Sequence, residues 1–581
     1  VPIRWAYLKR VLAGAIFGLY MAHLLYFLNP QVDVTPGKLA TVTIVYGLIC
    51  GLLFGSILWG LRALRVRLFG KPAAAPDRYR AHGFGFVVLA AFMAAAIYWM
   101  HLLLFRIYLP VGAVRVLSKV TNLIAATAFA LLLLWFVERY ADRRTSRAIF
   151  VAGALVIAVS AFFLYERRDR YRTEKQNVVV ANVGTIAGRR PVIVVAVRNL
   201  PFDWILTMTG EGSLPFFAAA KERSFFTRLE PFPSMSPKAL WASLATGKLP
   251  YRHGVTGRFS YRTPLSGPDP AERFLLVPAG VGFRAWGLIP PVQRIGSQLP
   301  AGDALPLWTI FERLSLHAAA IGWPWSVPSG ASHVVTDDFF DAPGNAKGVF
   351  PPAFAPVAGA RMREAEAGVT QHGLLQRFNG SGDARARIGA GLASDEAAVS
   401  LLDPSAALPL NVVGLGGFED AQRALHIFTN DLPPRSTMKG EALRAYAERI
   451  DALLASIARR YPDHLLVVVS PSGPVPPPVP DNPVAFLRDF VLPDDRGADD
   501  GFLLLAGEGV APSGTNPKAA LAQDLVPTVL YAAGLPVARD MDGQVLADAF
   551  TDEVLRSNAL SVVQTYEARQ LVVRRAAAVG H

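Results

Sequence analysis

The chain has 581 residues, 52% of them hydrophobic, with 58 Lys+Arg against 45 Asp+Glu and one cysteine, enough for a membrane region and one or two folded domains. The basic excess is confined to residues 1–190, net +17, while residues 191–581 are net −4; the positive charge belongs to membrane flanks and excludes nucleic acid as a natural partner. Cys50, alone and inside an apolar run, excludes an intrachain disulfide and a thiolate metal site.

Five apolar runs come first, at Val11–Leu28, Leu39–Leu61, Gly83–Phe105, Val120–Val137 and Ala148–Tyr165. Each has the length that carries a helix across roughly 30 Å of hydrocarbon. The first lacks a small-x-small cleavage site before Asn29-Pro30, so it reads as an anchor and not a removed signal. With the amino terminus in the cytoplasm, 13 Lys/Arg fall on that side and four (Lys38, Arg106, Arg115, Lys119) in the short outer loops. Everything after Tyr165 then lies outside the cytoplasm. Gly47, Gly51 and Gly55, four residues apart, suit close helix packing. His23 and His101 have no acidic partner within a span and read as hydrogen-bonded or interfacial groups, not a proton relay.

Residues 1–165 are thus expected to form a transmembrane helix bundle, 166–190 a linker, and 191–581 an α/β domain. In the last, continuous β-branched runs predict buried parallel strands at Val192–Val197, Ala318–Gly322, Ala424–Phe428, Leu465–Ser470 and Phe502–Ala506. Helices are predicted at 213–222, 237–245, 306–314, 439–459 and 519–533, giving a doubly wound sheet whose ligands bind at the carboxyl ends of the strands. Residues 361–403, Ala/Gly-rich, read as an irregular insertion, and Gly473–Pro480, GPVPPPVP, as an extended polyproline-like loop. GLGG at Gly414–Gly417 lacks the context of a dinucleotide site.

Residues 233–255, PSMSPKALWASLATGKLPYRHGV, carry the most information. Ser236-Pro237 opens a helix, Thr246-Gly247 closes it, and Pro250, His253 and Gly254 form a following loop. This stretch resembles the nucleophile turn of the alkaline phosphatase superfamily. Leu305–Pro328 is similar to another of its segments, and Asp524–Gly543 to the closing signature of the type I phosphodiesterase and nucleotide pyrophosphatase branch. The resemblance covers roughly 190–570 and implies a sulfatase-like, alkaline phosphatase-like sheet domain. Five spans before an outward-facing domain also resemble the plan of bacterial phosphoethanolamine and glycerophosphate transferases.

Active members of that superfamily hold two divalent metals, zinc or manganese, at strand ends, so the resemblance implies ligands that can be sought one by one. Where the first strand would end in Asp-Gly stand Arg198 and Asn199, with Asp203 five residues beyond. Ser236 is ten residues before Thr246 and Pro237 takes the ninth position, where the family's hydroxyl stands; serine before proline is also an ordinary N-cap pair. The third strand offers Asn430 and Asp431 without a histidine, the fourth ends in Ser470-Pro471-Ser472-Gly473, and Asp499-Asp500 stand where a Gly-x-His would be. His253 alone remains of the expected histidines. Relocated ligands could come from His333, Asp337 and Asp338, or from His372 or His426 with Asp431.

Two functions follow. The favoured one is a pseudoenzyme of the bacterial cytoplasmic membrane with an extracytoplasmic domain, no cofactor, and a binding or scaffolding role toward envelope proteins or an anionic, phosphate-bearing ligand at Arg198 and Lys238. The alternative is an active metal-dependent phosphodiesterase or phosphoryl transferase, with Ser236 as nucleophile and zinc or manganese on displaced ligands.

Overall fold

The run Val192–Val197 (β1), VIVVAV, has no polar side chain on either face, so it is stable only where both faces are covered. In the computed structural model it is the middle strand of a nine-stranded sheet, with every residue buried. The other strands are Phe225–Glu230 (β2), Ala318–Ile321 (β3), His333–Val335 (β4), Val349–Phe350 (β5), Leu410–Leu415 (β6), Leu465–Ser472 (β7), Asp500–Ala506 (β8) and Gly514–Leu521 (β9). The spatial order is β9-β2-β8-β7-β1-β6-β3-β4-β5. Strands β9, β2, β7, β1, β6, β3 and β4 all run one way, while β8 and the short edge strand β5 run the other way. The seven strands that share a direction therefore bring their carboxyl ends to one edge.

The structure describes residues 35–41, 50–69, 111–141 and scattered neighbours in the first 175, then 180–186 and 190–575 apart from 233–234, 256–258, 263–292, 297–303, 327–329, 342–347, 370–372, 475–499 and a few single positions. Two compact units result, one of residues 1–175, 256–297 and 486–493, the other of 176–255, 298–485 and 494–581. In the first, helices occupy Pro36–Thr41, Cys50–Phe69 and Val111–Ala141, and Phe259–Arg262 pairs with Gln293–Gly296. Among the described residues no helix is long and apolar enough to cross a membrane. The expected spans at 11–28 and 148–165 lie almost wholly outside the described residues, as does Gly47. Gly55 is a packing position: a Cβ there would stand 2.5 Å from the Val11 Cα.

Four of the five predicted strands are present, one of them, β8, antiparallel where a parallel strand was expected, and the fifth is displaced. Residues 424–428 are not a strand but the end of the Gly417–Leu425 helix and the turn after it; the strand is β6, which runs into GLGG. Phe418, Ala421 and Leu425, spaced three and four apart and buried, give that segment helical and not strand periodicity. Residues 361–403 are likewise corrected from irregular to helical, at Ala355–Val369, Gly373–Arg377 and Gly382–Ser400, as their alanine content favours. The predicted 519–533 helix starts at Leu525, after edge strand β9 and a short 3-10 turn. Val180–Ile186, within the expected linker, is a strand paired with Gln570–Arg575. The polyproline-like segment is outside the described residues beyond Pro474.

The helices cover the sheet with aromatic side chains. Phe217, Phe226 and Phe502 meet at centroid distances of 5.4–6.4 Å, and Trp204 and Tyr446 both set their rings edge-on to Phe418. GLGG permits this closeness: a Cβ on Gly417 would lie 2.0 Å from the Tyr446 hydroxyl. Tyr446 donates to Asp395 Oδ2 at 2.9 Å, and the Gly417 N–H donates to Oδ1 at 3.1 Å. Asp395 is 1% exposed, and burial pushes its carboxyl up to about 7 against the lowering pull of those two donors.

The folded chain therefore holds this proton over a range where the unfolded chain releases it, so stability declines as pH rises from the ordinary carboxylate range to about 7. Asp395→Asn is expected to flatten the decline in urea midpoint between pH 5 and 7, a window taken from about the ordinary to the raised value.

Candidate functional site

The carboxyl edge of the sheet is built from what each strand presents as it ends. Strand β1 runs into Arg198-Asn199, β7 ends at Ser472, β6 leads to Gly416–Asp420, β3 to Gly322-Trp323 and β4 to Thr336-Asp337. Antiparallel β8 enters at the same edge, with Asp500 opposite Ser472 and Phe502 opposite Arg228 of β2.

Arg198 lies at the centre of this edge. Its guanidinium stands 3.6 Å from Asp337 and 3.9 Å from Glu419, and Nη2 donates to the Gly322 carbonyl at 3.5 Å. The side chain is 22% exposed and its carboxylate neighbours are 24% and 17% exposed, which screens the pairs only partly. A Cβ on Gly416 would come within 3.3 Å of Arg198 Cζ, so a glycine there leaves room for the guanidinium. Asn199 takes a left-handed conformation, φ 60°, and its carbonyl accepts from Gln422 Nε2 at 3.2 Å.

The hydroxyls of the edge are engaged in holding backbone. Ser470 is fully buried; its Oγ accepts from the Leu200 N–H at 3.1 Å and donates to the Ser472 carbonyl at 3.2 Å, tying the turn after β1 to the end of β7. Ser236, 5% exposed, is the N-cap of the Pro237–Thr246 helix, with Pro237 at the first helical position and the Ala239 N–H donating to Ser236 Oγ at 3.2 Å. This is the capping geometry that the Ser-Pro pair allowed. Lys238 lines a small recess beside Trp241, Trp323 and Pro324.

His253 is fully buried. Its Nδ1 accepts from the Val255 N–H at 3.1 Å, which assigns the proton to Nε2, the atom 3.0 Å from Ser243 Oγ. Desolvation, aided by Lys248, pulls its pKa down to about 3. It is a neutral structural imidazole that shapes the loop.

A second arginine lies on the same edge of the sheet. Arg228 donates to Asp500 at 2.6 Å and to Asp203 at 3.2 Å, and packs over the Phe202 ring. Asp203, the acid five residues beyond Arg198, is in the first turn of the Phe202–Gly210 helix with its side chain 68% exposed. The closing segment also serves structure: Asp542 accepts from the Leu249 N–H at 2.8 Å, from the Tyr251 hydroxyl at 2.6 Å and from Arg252 at 2.9 Å. Buried Lys248 joins the same region through Asp540 at 2.7 Å and Glu567 at 2.8 Å.

Several sequence candidates do not reach the edge. Asp431 is exposed in the loop beyond the Gly417–Leu425 helix, because the third strand of the site is β6; Glu419 and Asp420 are the acids that follow it. His426 is the left-handed C-cap of that helix. His333 opens β4 while Asp337 follows its other end, and Asp338 is exposed, so these three do not form one cluster. Asn430, Asp499 and His372 lie outside the described residues. Glu419 and Arg228 were missed: the first because the strand before it was misplaced, the second because a strand arginine carries no motif. The donors do not fit a pair of divalent ions, since a fixed cation stands between the acids of β4 and β6. Among the described residues, no three His, Cys, Asp or Glu side chains gather as around a metal.

In comparison with known proteins, the sequence profile described as type I phosphodiesterase / nucleotide pyrophosphatase matches residues 192–524. No curated protein matches the chain. Among solved structures, the chain is similar to wild-type alkaline phosphatase PafA, at 8% identity over 63% of this chain and 100% of that one, TM-score 0.41. It is similar to the phosphonate monoester hydrolase SpPMH from Silicibacter pomeroyi, at 13% identity over 62% and 76%, TM-score 0.35. It is also similar to murine ectonucleotide pyrophosphatase / phosphodiesterase 5, at 11% identity over 64% and 100%, TM-score 0.31. At such scores these likenesses add nothing to the profile match.

Ser236→Ala should lower stability by about 1 kcal/mol in urea unfolding, the ordinary cost of an N-cap. The neutral His253 contributes stability fully present above the usual imidazole range and lost as pH falls toward about 3, because the unfolded chain takes up the proton first. His253→Asn, which keeps one acceptor and one donor, should flatten that acid limb in the same measurement.

Proposed function

This chain belongs to the type I phosphodiesterase / nucleotide pyrophosphatase family, and we propose that it is a catalytically silent member, anchored in a bacterial cytoplasmic membrane, whose extracytoplasmic domain binds or scaffolds envelope proteins. The observation that carries this reading is Arg198. At the end of the central strand, where dication chemistry needs an anion, the chain supplies a permanent cation between Asp337 and Glu419.

Three further features support it. Ser236 Oγ accepts from its own helix, as a capping hydroxyl does. Ser470 uses both its donor and its acceptor on backbone groups. His253 is sealed from solvent. A phosphate-bearing ligand at Arg198 and Lys238 would have to draw the guanidinium away from two carboxylates, so a protein partner is the preferred occupant. The anchor rests on the five apolar runs and the 13 inner against four outer Lys/Arg, with exposed Leu52, Leu53, Ile57, Leu61, Leu64 and Leu68 on Cys50–Phe69 in keeping with an apolar surrounding.

The full chain, purified in detergent, should carry neither zinc nor manganese at stoichiometric level by elemental analysis. It should hydrolyse a generic phosphodiester no faster than buffer, and Ser236→Ala should leave that rate unchanged. Stoichiometric metal together with Ser236-dependent turnover overturns the reading in favour of an active phosphodiesterase with relocated ligands.

A further inference from the structure

The tail of the chain is tied down at one buried cluster. Lys248, which follows the Pro237–Thr246 helix, stands 2.7 Å from Asp540 Oδ2 and 2.8 Å from Glu567 Oε1. Thr565 Oγ1 lies between the two acids, 2.8 Å from Asp540 Oδ2 and 2.6 Å from Glu567 Oε2, and accepts from the Glu567 N–H at 3.1 Å. A hydroxyl has one proton to give. It serves one of these carboxyl oxygens, so the other, at hydrogen-bond distance, must donate to Oγ1 and carry a proton itself. Glu567 is the anion, since it takes donors on both oxygens, from Lys248 and the Leu305 N–H at Oε1 and from Thr565 at Oε2. Asp540 holds the proton: its Oδ1 is buried with no partner among the described residues, which a neutral carboxyl tolerates better than a carboxylate. Burial pushes the Asp540 carboxyl up, with the Glu567 charge adding to it against the pull of Lys248. For Glu567, burial is outweighed by Lys248, Thr565 and the Leu305 N–H, which hold it below the usual range. The charged groups around the cluster do not alter this balance: Arg252 pairs with Asp542, Arg313 donates to the Tyr566 and Ala568 carbonyls, and Arg539 and Arg569 are exposed. His253, near Lys248, is neutral.

We infer that residues 562–575 are a strap fastened by this single proton, and that its loss at alkaline pH releases the strap together with the strand it holds. Thr565 and Glu567 stand between two pairings of the tail, Val562–Val563 with Val537–Ala538 and Gln570–Arg575 with Val180–Ile186. The second pairing fastens the segment that follows residues 1–175 in the chain. Without the proton, Thr565 faces two anions with one hydrogen to offer, and Lys248 sets one charge against two. The fastener therefore responds in one direction. The folded cluster keeps a proton that the released tail gives up, so the contribution of Asp540 is fully present below the ordinary carboxylate range and is lost as pH rises through its raised value. The contribution of Glu567, held low, is lost only in acid.

The test is hydrogen exchange of the full chain in detergent, with each rate divided by that of the unstructured peptide at the same pH. Protection of residues 562–575 should fall by about tenfold per pH unit above the ordinary carboxylate range until Asp540 is ionised. Strand β1 should stay protected throughout, which marks the opening as local. Asp540→Asn, whose amide takes the place of the neutral carboxyl, should keep the tail at its acid level of protection up to about pH 9. Glu567→Gln, which leaves one carboxylate for one ammonium, should do the same, and it reads the same loss if D540N does not fold. Tail protection that does not change with pH, or that falls only as β1 falls, overturns the inference. So does either folded variant that keeps the wild-type slope, and so does failure of both to fold, since each amide has the shape of the group it replaces.

Discussion

A guanidinium between two carboxylates, at the end of a strand whose every side chain is apolar, is the constraint on which the carboxyl edge of this sheet depends. Strand β1 is held by burial on both faces, and its position is not negotiable. The first polar residue after it must therefore be satisfied where it emerges, at the convergence of the segments that follow β3, β4 and β6. An aspartate there would add a negative charge beside those of Asp337 and Glu419, whereas an arginine offsets them, as Arg423 also does for Glu419.

The rest of the edge follows the same rule of internal satisfaction. Ser470 bonds backbone on both sides of a turn, Ser236 caps a helix, and Arg228 is shared by Asp203 and Asp500. Asp542 and Lys248 bind the Thr-Gly and Pro-x-x-His-Gly stretch to the closing segment. Motifs that look catalytic in sequence are, in this chain, the bonds by which distant parts of the domain hold one another. The residues that carry the family's sequence pattern thus also hold the fold.

Much was legible in advance. Strands β1, β3, β7 and β8 and the Pro237–Thr246 helix could be read from continuous apolar runs and a Ser-Pro cap followed by Thr-Gly. What misled was the stretch 410–428, where ALHIF made a helix end look like a strand and the strand at Leu410–Leu415 was not predicted. The glycines are present because Gly417 meets Tyr446 and Gly416 meets Arg198, partners far away along the chain.

The sequence by itself determined the class of sheet, the family, and the loss of the expected acidic and histidine residues, because these depend on residue type and on spacing along one chain. It could not determine which acids replaced them. Asp337 and Glu419 reach Arg198 only through the strand order β1-β6-β3-β4, and that order sets β1 beside β6, more than two hundred residues further along the chain. The charge at the strand end could be read from the sequence; the pair of carboxylates that balances it was decided by the tertiary structure, since ion pairing depends on distance in space and not along the chain.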